Sequence, residues 1–600
     1  MVYVVAMARF APSDLRALLE RLESAGELVA VRCEVDPCLE VAEIHRRVIA
    51  AGGPALLFEQ VRGSPLRLVT NLFGTGGRTR MAFGEAPFEL IAEAVETLQG
   101  SLPTRLADLW RRRRLLAAGL RVGRRRAFRA PVAEVVRRSP DLAELPATVS
   151  WSEDGGPFLT LPLVYTEPPG GGTHNLGIYR MQLHDGATTG MHWQIGKGGG
   201  FHHARAEAAG LDLPVTVTLG GPPAAILAAI APLPENVPEL LLASLLTGRR
   251  LRTVRGRAGH PVLADAEVVL SGRIPAGERR PEGPFGDHYG YYSLRHDYPV
   301  FRVEEMLRRR DAIVPATVVG KPRQEDYFIG EALQELLSPL FPLAMPAVRD
   351  LWSYGETGFH SLAAAVVEER YRREAMVSAF RILGEGQLAL TKFLLVTDRP
   401  VELRNIRSTL PHVLARTRPE TDLYVLANLS MDTLDYTGPE VNLGSKGVWL
   451  GLGDPVRDLP SELTSAELPA GITEAHPFCP GCLVVGGPCF DDEPGAPSRI
   501  AADPAFADWP LVILAERPAE VAADSTRFLW TVFTRFEPAA DIHSRDIQVV
   551  RHHLSYAPPI VVDARMKPGY PAELECDPAT AALVTRRWSE YFPDGGVEMG

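Results

Sequence analysis

Apolar positions recur at helical spacing over residues 11–26 and again over 41–51, while a short apolar run at 54–58, bounded by glycines, reads as a strand. That mixture predicts a small α/β unit at the start of the chain. From about 130 to 318 the texture changes to brief β-rich runs at 159–166, 215–219, 267–270 and 300–303, separated by Gly and Pro. Such spacing predicts a barrel or sandwich, interrupted by one helix near 237–246. Past 322 the pattern predicts a helix over 361–383, a buried strand at 393–397, a helix over 401–415 and a strand at 423–427, which is βαβ character. After 454 come strand-like 511–515, a helix near 525–534 and strand-like 560–562. The boundaries this suggests are an N-terminal α/β domain with its linker over 1–125, a β-rich domain over 126–330, an α/β domain over 331–455 and a mixed α/β extension over 456–600. No internal repeat is legible.

Composition narrows the function classes. With 63 basic against 74 acidic side chains and a net charge of -11, the chain has no general attraction for nucleic acid or an anionic membrane. An arginine-dense stretch between 109 and 129 reads as a solvated linker helix. The apolar run 215–234 is broken by Gly220, Gly221, Pro222 and Pro223, so neither a transmembrane segment nor export is expected. Six scattered cysteines are too sparse for a disulfide scaffold, and a reducing cytoplasm fits them best.

The chemistry concentrates in Glu282-Gly-Pro-Phe-Gly-Asp287, two carboxylates five residues apart across a segment that Gly283-Pro284 and Gly286 keep out of regular helix. Releasing carbon dioxide requires an electron sink, a group to hold the departing carboxylate and an acid to protonate the carbon left behind. Arg180 could hold a carboxylate, Glu282 could orient that arginine, and Asp287 could carry the proton. On spacing alone, an arginine with two acids is more often a structural ion-pair cluster. Leu443-Gly-Ser-Lys-Gly447 lacks the spacing of a phosphate loop and reads as a mobile glycine-rich loop. Cys479, Cys482, Cys489 and His476 could ligate zinc at this spacing, although structural cysteines are the stronger reading.

Asn175-Leu-Gly-Ile-Tyr-Arg180-Met-Gln182 and Glu282-Gly-Pro-Phe-Gly-Asp287-His-Tyr-Gly-Tyr-Tyr292 resemble the signature segments of the UbiD decarboxylases. Ala51-Gly-Gly-Pro-Ala-Leu-Leu-Phe58, Asn71-Leu-Phe-Gly-Thr75, Thr391-Lys-Phe393 and Leu443-Gly-Ser-Lys-Gly447 extend the resemblance, in order, over roughly residues 10–455. It implies a reversible, non-oxidative decarboxylase dependent on prenylated FMN, in which a central split β-barrel of the FMN-binding kind is flanked by N-terminal and C-terminal α/β domains. Arg180, Glu282 and Asp287 match the catalytic trio, with Asp287 as proton donor. Asn175, Tyr179, Arg180, Gln182, Glu239 and Lys392 match cofactor-side positions.

The resemblance also implies a divalent ion, manganese or magnesium, with potassium nearby, held by Asn, His and Glu at the cofactor phosphate. Asn175 and Glu239 match the first and third ligands. Gly196 stands where the histidine is expected, and His192, four residues back along an extended chain, would be some 13 Å away. Either His202 or His203 folds back over the 198–200 turn, or water or a cofactor oxygen completes the shell, or the metal is bound weakly. The implied substrate is an aromatic, hydroxyaryl or α,β-unsaturated carboxylic acid, with quinone biosynthesis suggested by the longer members. A flavin prenyltransferase would supply the cofactor, and a homodimer or higher homo-oligomer is expected. The rival readings are a carboxylase of aromatic degradation, a non-catalytic flavin-binding paralogue and a hydride-transferring flavoprotein.

Overall fold

The computed structural model describes residues 9–99, 119, 121–193, 198–233, 237–463 and 467–600. They divide into two compact units, Met1–Leu336 with Glu573–Gly600, and Leu337–Ala572. The segment 456–600 is thus shared between units: most of it folds with the residues before it, and its end returns to the first unit.

The first unit opens with a sheet ordered Leu28–Val35, Ala55–Val61, Arg67–Thr70 and Ile313–Pro315. Helix Glu40–Ala50 lays Ile44 and Val48 on this sheet, where they share a core with Val31, Phe58 and, from helix Pro578–Tyr591, Val584 and Tyr591. The centre is an eight-stranded sheet whose main path is Thr188–Gly190, His296–Arg308, Val268–Ile274, Leu213–Leu219, Leu163–Thr166 and Asn175–Ile178. Its alternation is visible in Leu213–Leu219: Leu213, Val215, Val217 and Leu219 face one core with Val268 and Leu270, and polar Thr216 and Thr218 take the other face. Each such side chain contributes about 1.5–3 kcal/mol when fully buried. Among the described residues no pairing joins Asn175–Ile178 to Thr188–Gly190, so the strand order traces no closed barrel. Helix Glu239–Thr247 forms where the sequence places it.

In the arginine-dense stretch, residues 109–118 and 120 lie outside the described residues, and Arg124–Arg126 is an exposed strand, parallel to Leu251–Arg255, where a linker helix is expected.

The second unit contains two five-stranded sheets. One is ordered Val348–Ser353, Leu362–Val367, Phe393–Thr397, Leu443–Gly451 and Leu423–Ser430. The other is ordered Ala475–Cys479, Cys482–Val485, Leu511–Leu514, His553–Asp563 and Ile542–Val550. Two expectations are corrected. Residues 361–383 are not one helix but strand Leu362–Val367, buried at all six positions, followed by helix Glu374–Ile382. The glycine-rich segment at 443 is not a loop but the start of strand Leu443–Gly451, whose neighbours on both sides satisfy its backbone. No helix among the described residues is long and apolar enough to cross a membrane.

Candidate active site

Arg180 follows strand Asn175–Ile178, and Met181–Gln182 just beyond it pairs with Phe158–Leu159. Glu282 ends strand Arg279–Glu282, which is held on His296–Arg308. Gly283, at φ +91°, turns the chain so that Phe285–Gly286 pairs with Tyr292–Ser293 and brings Asp287 back to Arg180. The amide of Gln182 fixes this turn, accepting from the Gly283 N–H at 2.9 Å and donating to the Gly155 carbonyl at 2.6 Å. Both ends of the Gln182 amide are therefore committed to backbone. Asp154 supports the same turn by accepting the Gly286 N–H at 2.8 Å, and burial pushes its carboxyl up to about 6.

The Arg180 side chain is only 8% exposed, and all its nitrogens are engaged. Nε donates to Glu282 Oε1 at 3.2 Å, Nη1 is ion-paired with Asp287 Oδ2, and Nη2 donates to Ser293 Oγ at 2.9 Å. The guanidinium lies over the Phe285 ring, 4.5 Å from its centroid. Two histidines that the sequence does not single out as partners complete the cluster. His192 Nδ1 is 2.9 Å from Glu282 Oε1, and His288 binds Asp287 Oδ1 through both Nδ1 and its backbone N–H at 2.7 Å. Their only sequence signal is position, one beside a buried strand and one directly after the acid.

Burial alone would raise Glu282, but the His192 contact and Arg180 hold its carboxyl below the ordinary value. Asp287 behaves likewise: burial opposes ionisation, and His288 with Arg180 overcomes it, leaving the carboxyl well below the usual range. Asp326, half-buried and coupled electrostatically to His288 and Asp287, is pushed by desolvation up to about 6, and its buried Oδ1 has no hydrogen-bond partner.

A cavity of about 170 Å³ opens on this cluster. Its lining combines polar Arg180, His192, Asp287 and His288 with apolar Ile178, Phe285 and Val319. Glu282 does not line it and acts through Arg180 and His192. Its Oε2 is buried without a hydrogen-bond partner against Gly190, where a Cβ would sit 2.6 Å away. Gly190→Ala is therefore expected to displace the carboxylate and cut turnover about a hundredfold, as ångström-scale misplacement does. Steady-state rates and the melting temperature, measured together, check this, and an unchanged rate would contradict the packing argument.

On the cofactor side, the Leu176 N–H donates to Glu239 Oε2 at 3.1 Å, which brings the Glu239 carboxylate beside Asn175. Burial pushes Glu239 up to about 7. The Asn175 amide meets the Tyr179 hydroxyl at 3.4 Å, and that hydroxyl accepts the Gly199 N–H at 3.3 Å. Gly196 lies outside the described residues. His202 Nδ1 is 2.9 Å from Thr166 Oγ1, and Thr166 is the strand partner of Asn175; His203 instead stacks on Trp193. Among the described residues no three His, Cys, Asp or Glu side chains converge as a metal shell.

Lys392 belongs to the second unit, buried and ion-paired with Asp435 at 2.7 Å. There Cys479 and Cys482 face each other across a hairpin turn, both buried, while His476 turns to Glu474 at 2.9 Å and Cys489 to Asp492. These four do not gather round a point.

Three family models match in order: the N-terminal domain of 3-octaprenyl-4-hydroxybenzoate carboxy-lyase over 19–98, its Rift-related domain over 124–322 and its C-terminal domain over 327–451. A Chlamydia pneumoniae protein named for one subunit of a 4-hydroxybenzoate decarboxylase is 50% identical over 97% of this chain and 99% of its own. The UbiD-class enzyme HmfF of Pelotomaculum thermopropionicum, solved with FMN, is 25% identical at a TM-score of 0.61, covering 76% of this chain and 98% of that one. An evolved dimeric form solved with prFMN is 26% identical at 0.59, covering 73% and 95%. Vanillic acid decarboxylase of Sedimentibacter hydroxybenzoicus agrees in fold, with a TM-score of 0.66 at 24% identity over 76% and 96% of the two chains. With the family's three domains in order and a near full-length relative, the chain belongs to the UbiD family of carboxy-lyases.

Proposed function

We propose that the protein is a reversible decarboxylase that uses prenylated FMN on a hydroxyaryl or α,β-unsaturated carboxylic acid. The observation that carries this is the Arg180 guanidinium, buried at the wall of a cavity between two carboxylates. Relatives named for aromatic-acid decarboxylation, and one solved with prFMN, support the substrate class and the cofactor. In this reading the eight-stranded sheet is the split barrel that seats the cofactor, the enzyme is cytoplasmic and homo-oligomeric, and a flavin prenyltransferase supplies its flavin.

When bound, prenylated FMN supplies the electron sink for the carbon that loses carbon dioxide. Asn175 and Glu239 would hold a divalent ion at its phosphate, with potassium nearby; Tyr179 and Lys392 are cofactor-side groups, and Gln182 serves through the turn it fixes. Arg180 binds the substrate carboxylate. Three of its five N–H groups are engaged, so the substrate carboxylate competes for the guanidinium with Asp287, the carboxylate that lines the cavity. Released from Arg180, Asp287 keeps its burial and loses its main neighbouring positive charge, so its affinity for a proton rises as substrate binds. It then stands as the acid that protonates the carbon. Glu282 stays with Arg180 and His192, keeping the guanidinium in plane and fixing the imidazole tautomer.

His288 tunes that acid. Replacing it with alanine removes a donor to Asp287 Oδ1, so the alkaline limb of the kcat profile is expected to move up by about one pH unit. A limb that stays in place would remove His288 from the proton path.

The reading as a whole is tested by co-expression with a flavin prenyltransferase, mass spectrometry of the bound cofactor and a carbon dioxide release screen over hydroxybenzoic and acrylic acids. Protein that binds no prenylated flavin under those conditions would overturn it.

A further inference from the structure

The two sheets of the second unit are the same sheet built twice. In each, the first strand is antiparallel to the second, the second and third are parallel, the third and the last in sequence are parallel, and the fourth in sequence lies antiparallel outside that last one. The registers agree as well. Leu362, Phe393 and Gly447 lie abreast in one, and Cys482, Leu511 and Ile560 in the other. Two residues beyond, Leu423 is opposite Trp449, and Ile542 is opposite Val562. Helix Ile406–Leu414 and the short helix Pro419–Asp422 occupy the same connection as Ser525–Arg535 and Pro538–Asp541.

Two short sequence matches fall at those equivalent places. Asp398-Arg-Pro-Val-Glu402 answers to Glu516-Arg-Pro-Ala-Glu520, each starting five residues after the aligned Phe393 and Leu511, and Pro419-Glu-Thr-Asp422-Leu423 to Pro538-Ala-Ala-Asp541-Ile542. The matching aspartates do the same work. Asp422 Oδ2 accepts the Arg418 N–H at 2.8 Å, and Asp541 Oδ2 accepts the Glu537 N–H at 2.7 Å.

We infer that residues 475–563 are a tandem duplicate of residues 348–451, retained as a built-in partner that covers the apolar face of the first copy. One core serves both: Phe393, Leu395 and Trp449 from the first pack with Phe478, Leu511, Phe528 and Phe536 from the second. Their outer faces keep separate cores, one under helix Glu374–Ile382 and one under Ala496–Ala502. The contact is reciprocal, as in an isologous dimer: Pro419–Asp422 packs on strand His553–Asp563, and Pro538–Asp541 packs on strand Leu443–Gly451, where the Ala539 N–H donates to Ser445 Oγ at 2.9 Å. The duplicate does not repeat the lysines. Registers place Pro510 and Pro559 where the first copy has Lys392 and Lys446, so its role is to pair, and the family's C-terminal domain model matches only the first copy. This inference is independent of the proposed decarboxylase chemistry.

The test traps the reciprocal contact in the full chain. Ser445→Cys combined with Ala539→Cys is exposed to a mild oxidant and, separately, to dibromobimane, then read on non-reducing gels and by peptide mass spectrometry. A 445–539 bridge within a single chain, formed in most of the protein and absent from either single variant, is expected. Bridges that join two chains would show that each copy pairs with a different molecule. No bridge from either reagent, in protein that retains its circular dichroism, would show that the copies do not meet. Either result overturns the built-in partner.

Discussion

Glu282→Gln is expected to lower kcat by about 10²–10⁴-fold while leaving flavin binding in place. One oxygen of Glu282 serves two donors, Arg180 Nε at 3.2 Å and His192 Nδ1 at 2.9 Å, and the other lies buried against Gly190 with no hydrogen-bond partner. A glutamine oxygen can accept from both donors, so the geometry has a neutral analogue. The amide nitrogen must then enter a slot that gives it no acceptor, or flip and set an N–H against the Arg180 and His192 donors. The larger loss is charge. With the carboxylate gone, Asp287 becomes the sole anion in contact with Arg180, which strengthens the ion pair that an incoming substrate competes with. Three decades in rate correspond to about 4 kcal/mol of transition-state stabilisation. The melting temperature, flavin content and kcat of the variant separate this from a folding defect, and Glu282→Asp should recover part of the rate. A glutamine variant within tenfold of the parent, with flavin bound, would take Glu282 out of the mechanism.

The sequence was informative wherever chemistry demands a residue type at a fixed spacing. Arg180, Glu282 and Asp287 stand in short motifs, and the turn between the acids follows from Gly283 and Pro284, so their convergence was legible despite the separation along the chain. His192 and His288 were not, because a single imidazole beside a strand or a turn has no periodicity to betray its partner. Gln182 has a further task that its motif does not announce: its amide is committed to the backbone of Gly155 and Gly283. Residues 361–383 misled through propensity. Their alanines favour helix in isolation, but six consecutive positions buried between Val348–Ser353 and Phe393–Thr397 are stabilised by sheet pairing and burial on both faces. The glycines at 444 and 447 likewise read as loop because strand propensity reflects packing, and neighbours on both sides supply it. The duplicated fold stayed hidden for a related reason. Sheet topology is kept by the pattern of buried positions, which many residues satisfy, and only the Arg-Pro-x-Glu and Pro-x-x-Asp turns need particular side chains.

Asp287→Asn is expected to separate proton delivery from carboxylate binding. Asparagine is close in size, keeps an acceptor for Arg180 or for His288 but not both, because they bind different oxygens of Asp287, and has no acidic proton to give. Protonation of the product carbon should slow by about 10²–10⁴-fold, as should exchange of that carbon's hydrogen for solvent deuterium, while the affinity for a non-reacting substrate analogue holds steady or improves because Arg180 is more easily released. The pH dependence gives a second readout. The Asp287 carboxyl lies well below its ordinary value in the folded chain, so its stabilising contribution is present above about pH 4 and is lost as pH falls through the lower folded value. The difference in melting temperature between parent and Asp287→Asn should therefore stay constant from about pH 5 to pH 8 and shrink only below about pH 4. A gap that opened or closed near neutrality would mean that Asp287 is not held ionised by Arg180 and His288. Exchange as fast as in the parent would place the proton donor elsewhere, and Asp326, coupled electrostatically to His288 with its carboxyl at about 6, would be the next residue to replace.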